Sequence, residues 1–167
     1  LYQEAKDWCK YDAGVQPPTG PTFSMSSFGR DKSSKVYPSL STAFKAASVK
    51  ALLFFIAHKA VAVDTGTPHS KLRTLAITMY AKYWNILDHA GRILKPQEVR
   101  AAMHCGRIFL LAVQKLHHEA KSERKHLWKI RPKHHYYDHI VRKLKNKFNP
   151  WQTACWGQED LLGKLKK

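Results

Sequence analysis

Four prolines divide the second two-thirds of this chain into lengths that suit helices. They fall in Thr67-Pro68, Lys95-Pro96, Pro132 and Asn149-Pro150. Proline is accepted in the first turn of a helix and excluded from its interior, so each of these sites marks a beginning or an end. Between the first two, apolar residues recur at helical spacing: at about 100° per residue, Leu72, Leu75, Ala76, Met79, Tyr83, Ile86 and Ala90 form one stripe. Lys71, Thr74, Lys82, Asn85 and Asp88 lie opposite. Thr67 offers an N-cap oxygen and Gly91 a C′ position, which brackets this helix at both ends.

The flanking segments read the same way. Ser39 or Ser41 can cap an earlier helix that runs to about Val63, where Asp64-Thr65-Gly66 stops it. Its centre, ALLFFIA, is apolar on every side, which predicts burial between other helices. Pro96 opens a helix through about Lys125, with Val99, Ala102, Met103, Gly106, Leu110, Val113 and His117 on one face. After Pro132 a further helix is expected from about Lys133 to Lys147, carrying Tyr137, Ile140, Val141, Leu144 and Phe148 as its core stripe. A last short helix is expected near Gln158. At the other end, Leu1 to Asp12 reads as a short helix, and the stretch to Pro38, with Pro17-Pro18 and Gly20-Pro21, as an extended arm. Phe23, Met25, Phe28, Val36 and Tyr37 are placed to hold that arm against the body.

No alternating pattern with hairpin turns occurs. The expectation is therefore an all-α irregular bundle of about four to five helices with a Pro/Gly/Ser-rich N-terminal arm. The arm takes residues 1–38, the helical domain 39–148 and a tail 149–167. A hydrophobic content of 44% over 167 residues is enough for a core. Cys9, Cys105 and Cys155 are odd in number, far apart and outside any CxxC pair, which argues against a disulfide framework and a thiolate zinc site, and for a reducing compartment. The longest apolar run, Ala51 to Ala57, is far short of the roughly 20 residues that cross a bilayer. The start at Leu1, with no Met and no signal sequence, reads as part of a longer polypeptide.

Charge narrows the partner. The net charge is +17, and it is uneven: residues 91–167 carry 18 basic and 6 acidic side chains against 11 and 6 in residues 1–90. The tract from Lys121 to Lys147 holds ten Lys or Arg, four His and two acids, a formal +8, with Trp128, Tyr136 and Tyr137 interleaved. Cations bind phosphates and aromatic rings stack on bases, so this mixture points to a polyanion, foremost nucleic acid. In projection, His135, His139, Arg142, Lys143 and Asn146 lie opposite the core stripe of the last long helix. The candidate nucleic-acid contacts are Lys125, Trp128, Lys129, Arg131, Lys133, His135, Tyr136, His139, Arg142, Lys143, Lys145 and Lys147. A solvated basic face that only confers solubility is the bland alternative.

Other chemistry is less well supported. His135 and His139 have the i, i+4 spacing of two metal ligands, but no Glu stands in the HExxH position, no third and fourth ligands are evident, and Arg142 and Lys143 would repel a cation. They are weak metal candidates, and no metal or other cofactor is assigned. His117, on an apolar face, reads as a core histidine bonded to a backbone carbonyl. Glu159 and Asp160 are neighbours that diverge by about 100° on a helix, which suits first-turn acids better than a shared ion. No GxSxG, P-loop, GxGxxG or kinase-like set occurs.

The C-terminal quarter runs Trp128, Pro132-Lys133-His134-His135, His139, Asn149-Pro150 and Glu159-Asp160-Leu161-Leu162-Gly163-Lys164. This order, over about residues 128–167, resembles the tail of a family of mobile-element-derived proteins of dinoflagellate algae. In that family a tryptophan, PKxH with a downstream His, an NPR-like step and DED-x-x-G-K recur. Trp151 stands where Arg follows NP in the pattern, and Gln158 where its first Asp would be. The resemblance, shared in its PK-H-H segment by some cut-and-paste transposases, implies nucleic-acid handling. The expected function is thus a non-catalytic nucleic-acid-binding region of a larger protein, intracellular and favouring the nucleus. A structural module docking an acidic protein surface through the same residues comes second, and a metal-dependent enzyme fragment third.

Overall fold

The computed structural model describes residues 2–14, 17–18 and 46–153. It is an all-α bundle. Helix α1 spans Tyr2–Asp7 and runs on as a π-helical turn, Trp8–Asp12; α2 spans Ala46–Ala62, α3 Pro68–His89, α4 Pro96–Ser122 and α5 Pro132–Lys143. Short 3-10 turns follow at Leu144–Asn146 and Pro150–Thr153. The expected start of α2 at Ser39 or Ser41, most of the N-terminal arm and the helix near Gln158 lie outside the described residues.

The prolines act as the sequence implies. Thr67 is extended and its hydroxyl accepts the Ser70 N–H at 3.2 Å, with Pro68 in the first turn of α3. At the start of α4 the Glu98 carboxylate accepts the Lys95 N–H at 2.7 Å, so an orphan donor before Pro96 is satisfied.

Helix α3 lies between α2 and α4, and among the described elements its contact with α4 is the most extensive. The main core joins Tyr83, Leu87, Ala90, Leu94, Val99, Ala102, Cys105, Val141 and Leu144. A helix with neighbours on two sides cannot keep a single apolar stripe. Leu75, in the expected stripe, is exposed, whereas Leu87 and Ala81, outside it, are buried. The side read as polar is where α2 docks: the Thr74 hydroxyl donates to the Ala60 carbonyl at 3.1 Å, and Asp88 pairs with Lys50 at 2.6 Å.

Helix α2 is less enclosed than its composition predicts. Leu52 and Phe55 are buried with Ala5 of α1, but Val49, Ile56 and Val61 are exposed. Among the described residues α2 packs mainly on α3, with α1 and its π-helical turn against Leu52 and Phe55 near its middle.

Two further expectations change. Gly91 does not adopt the left-handed conformation of a C′ glycine, and Ala90 before it is extended. The end of α3 is capped from a distance instead. Buried Asn149 donates through Nδ2 to the carbonyls of Leu87 (2.8 Å), Ala90 (3.3 Å) and Gly91 (3.1 Å), and its Oδ1 accepts the Trp151 N–H at 3.0 Å. One side chain thereby satisfies carbonyls that the helix end leaves open.

The second change concerns the core stripe of α5. Tyr137 is partly buried, and Val141 and Leu144 are buried, but Ile140 and Phe148 are each 41% exposed. Lys147 takes a left-handed conformation (φ 65°) that reverses the chain. Phe148 then pairs with Ile93 in an isolated antiparallel bridge, flanked by Leu94 N–H to Lys147 O (2.7 Å) and Asn149 N–H to Arg92 O (3.0 Å). Leaving the helix turns Phe148 out of the stripe, with the Arg92 guanidinium over its ring.

Candidate functional site

The site is set by how closely α5 leans on α4. Gly106 makes this possible: a Cβ there would lie 2.6 Å from a Val141 methyl. Contact at that point leaves a groove between the two helices, about 990 Å³ in volume. From α4 it receives Met103, Arg107, Leu110, Leu111, Gln114, His117 and His118; from α5, its lead-in and the 3-10 turn that follows it, Ile130, His134, Asp138, Arg142 and Lys145. Its lining combines apolar and basic side chains, and the one acid among them, Asp138, already binds the Arg142 guanidinium (Nε to Oδ2, 2.8 Å).

Helix α4 ends in a Schellman motif. The Lys125 N–H bonds to Ala120 O at 2.8 Å and the Arg124 N–H to Lys121 O at 3.1 Å. Arg124 occupies the left-handed position, φ 54°, that glycine usually fills. The corner then holds Trp128 at φ 54° as well. His117 Nδ1 meets the Trp128 carbonyl at 3.1 Å, so this nitrogen donates. The reading of His117 as a histidine bonded to a backbone carbonyl matches this contact.

The corner forms a second cavity of about 430 Å³, lined by His117, Lys121, Arg124, Lys125 and His126. His117 lines both cavities. Positive side chains thus follow α4 from Arg107 to the corner, about 21 Å from Arg107 to Lys121 at 1.5 Å per residue.

The twelve residues singled out from the sequence separate in space. Arg142 and Lys145 line the groove and Lys125 the corner cavity, where Lys125 also pairs with Glu123 at 2.5 Å. That ammonium holds the Glu123 carboxyl below its usual range. Lys129, Arg131, Lys133, Lys143 and Lys147 are exposed around the corner and α5. Tyr136 is exposed on the outer side of α5 and is the aromatic ring best placed to stack on a base.

Trp128 is placed differently. Its indole packs on the cluster of Ala76, Ala112, Val113 and Leu116, so it braces the corner rather than offering an open stacking surface. His135 and His139 lie outside the groove, both exposed, with their Nε2 atoms 2.9 Å apart. Among the described residues no group of three or more His, Cys, Asp or Glu side chains converges. Cys9 and Cys105 are free and buried, and burial raises the pKa of both thiols.

Arg107 and His118 are not among the residues the sequence points to, and Lys121 enters there only as the start of the basic tract. Met103, Arg107, Leu110, Leu111, Gln114 and His118 follow i, i+4, i+7, i+8, i+11, i+15, a second helical stripe beside the core face. That pattern was available, but nothing in it says that α5 stops short of covering it. No helix among the described residues is long and apolar enough to cross a membrane. Comparisons with protein-family models, curated proteins and solved structures give no match.

Proposed function

We propose that this chain is a non-catalytic nucleic-acid-binding region of a larger protein, and that the phosphate backbone lies along the α4–α5 groove and the basic corner. One observation carries the reading: Arg107, Arg142 and Lys145, with His117, His118 and His134, converge on a single groove whose only acid is already paired. Such a track neutralises phosphates without reading sequence. Lys129, Arg131, Lys133, Lys143 and Lys147 extend the positive field around it, and Tyr136 supplies a ring for a base. The resemblance of the C-terminal quarter to mobile-element-derived proteins is consistent with this role, and a nuclear location would follow from it.

The test is affinity for short DNA and RNA duplexes and single strands as a function of salt. With four to six phosphates neutralised, log K should fall against log salt with a slope of about −3 to −5. Affinity that is flat between about 50 and 200 mM salt, or no affinity at all, sinks the proposal.

A second reading has one specific observation behind it: apolar side chains line the groove beside the basic ones, and Leu111 among them is 66% exposed. An acidic amphipathic helix would use both the apolar and the basic side chains. Leu111→Ser distinguishes the two, since it should leave nucleic-acid affinity within about twofold and abolish docking of such a helix.

A further inference from the structure

Besides the groove, α5 carries a second arrangement that is specific in its geometry. His135 and His139 stand one helical turn apart on its outer side, their rings at 82° with centroids 4.3 Å apart. Their Nε2 atoms are 2.9 Å apart. Without a ligand this is one hydrogen bond, in which one ring donates and the other accepts. The same distance is also the bite of a chelate. Two metal–nitrogen bonds of about 2.0–2.1 Å meeting at a right angle put the nitrogens about 2.9 Å apart, whereas the tetrahedral angle requires about 3.3 Å.

We propose that His135 and His139 form a two-imidazole site for a divalent transition-metal ion of tetragonal preference, the Cu(II) and Ni(II) class. Right-angled nitrogen ligation is the geometry these ions favour, and Zn(II), which prefers a tetrahedron, fits less well. The charges nearby select in the same direction. Asp138, the acid on this helix, is engaged by Arg142, and Lys143 is exposed close by, so no carboxylate is left to attract Mg(II) or Ca(II). Only an ion bound strongly by neutral imidazole overcomes that field.

The site asks little of the protein. Both rings are exposed, so no buried group has to move. Both Nε2 atoms must present lone pairs, so the donor ring passes its Nε2 proton to Nδ1 through solvent, and the neutral pair takes up the ion with no net proton released. The remaining coordination positions face solvent, open to water or to an exogenous ligand. Closing a chelate across one turn also fixes that turn, so the ion should stabilise α5.

Calorimetric titration of the full chain with Ni(II) tests this, comparing wild type with His135→Ala, His139→Ala and, as a control from the groove, His118→Ala. One site should weaken at least tenfold in each of the first two variants and remain in the third. Circular dichroism should show unchanged helix content in all of them, because the replaced rings are exposed. Zn(II) should bind more weakly than Ni(II). Equal Ni(II) binding by wild type, His135→Ala and His139→Ala would overturn the site, as would tighter binding of Zn(II) than of Ni(II). Either result would leave the nucleic-acid reading of the groove untouched.

Discussion

The two corners that flank α4 are built on opposite principles. Between α3 and α4, Asn149 reaches in from the far end of the described chain and binds three carbonyls from a fully buried position. Between α4 and α5 the chain turns on two residues with positive φ, Arg124 and Trp128, and is fastened by His117 to a carbonyl. The first corner satisfies its helix-end carbonyls internally, with Arg92 and Lys95 exposed on it. The second keeps Arg124, Lys125 and their neighbours exposed and accepts an unfavourable backbone to do so. One corner of α4 is thus held by a buried side chain, while the charge that would meet a partner lies along the α4–α5 groove and at the other corner.

That contrast can be broken by substitution. Asn149→Ala removes the donor to three carbonyls and leaves buried acceptors unpaired, so it should destabilise the fold by about 2–4 kcal/mol in denaturant unfolding. A cost under about 0.5 kcal/mol would show that the corner does not depend on the asparagine. Gly106→Ala comes next. Its new methyl meets Val141, so α5 must shift at a cost of about 1–3 kcal/mol. Gly106→Ala should cost less in a Val141→Ala background than in the wild type, and equal costs in the two backgrounds would contradict the close approach.

The smaller effects have the opposite sign. Arg124→Gly removes the left-handed penalty of a side chain at φ 54° and should raise stability by roughly 0.5–1 kcal/mol while weakening nucleic-acid affinity. A variant that binds as well as wild type would remove Arg124 from the interface. Tyr137→Phe is expected to be neutral or stabilising by up to about 1 kcal/mol, because the hydroxyl is buried without a hydrogen-bond partner and burial pushes its pKa far up. A loss of more than about 1 kcal/mol in thermal or denaturant melts would mean that the hydroxyl does bond.

What was legible from the residues follows the range of the interaction that decides it. Pro68, Pro96 and Pro132 each start a helix in the structure, because proline acts on its own backbone and its nearest neighbours. The two-sided burial of α3 was not legible, since periodicity cannot say how many neighbours a helix has. The role of Asn149 was hidden for the same reason: its three partners lie about sixty positions earlier in the chain. Phe148 leaves the expected stripe because α5 gives way to a 3-10 turn and then to a left-handed lysine, whereas Ile140 lies within α5 and is exposed there. In the candidate site, Arg142 and Lys145 were found from their own helix. Arg107 and His118 required knowing where α5 crosses α4, which Gly106 and Val141 decide.

The central claim is that position, and not merely a net charge of +17, makes the groove a binding surface. It is tested most directly by measuring nucleic-acid affinity for two variants that change the net charge equally, Arg107→Glu in the groove and Lys71→Glu at an exposed position of α3 outside it, at one fixed salt concentration. The account predicts that Arg107→Glu weakens binding at least tenfold and lowers the salt slope by about 1, while Lys71→Glu stays within about twofold of wild type. Equal losses in the two variants would contradict it, and would leave only a diffuse attraction of a basic protein for a polyanion.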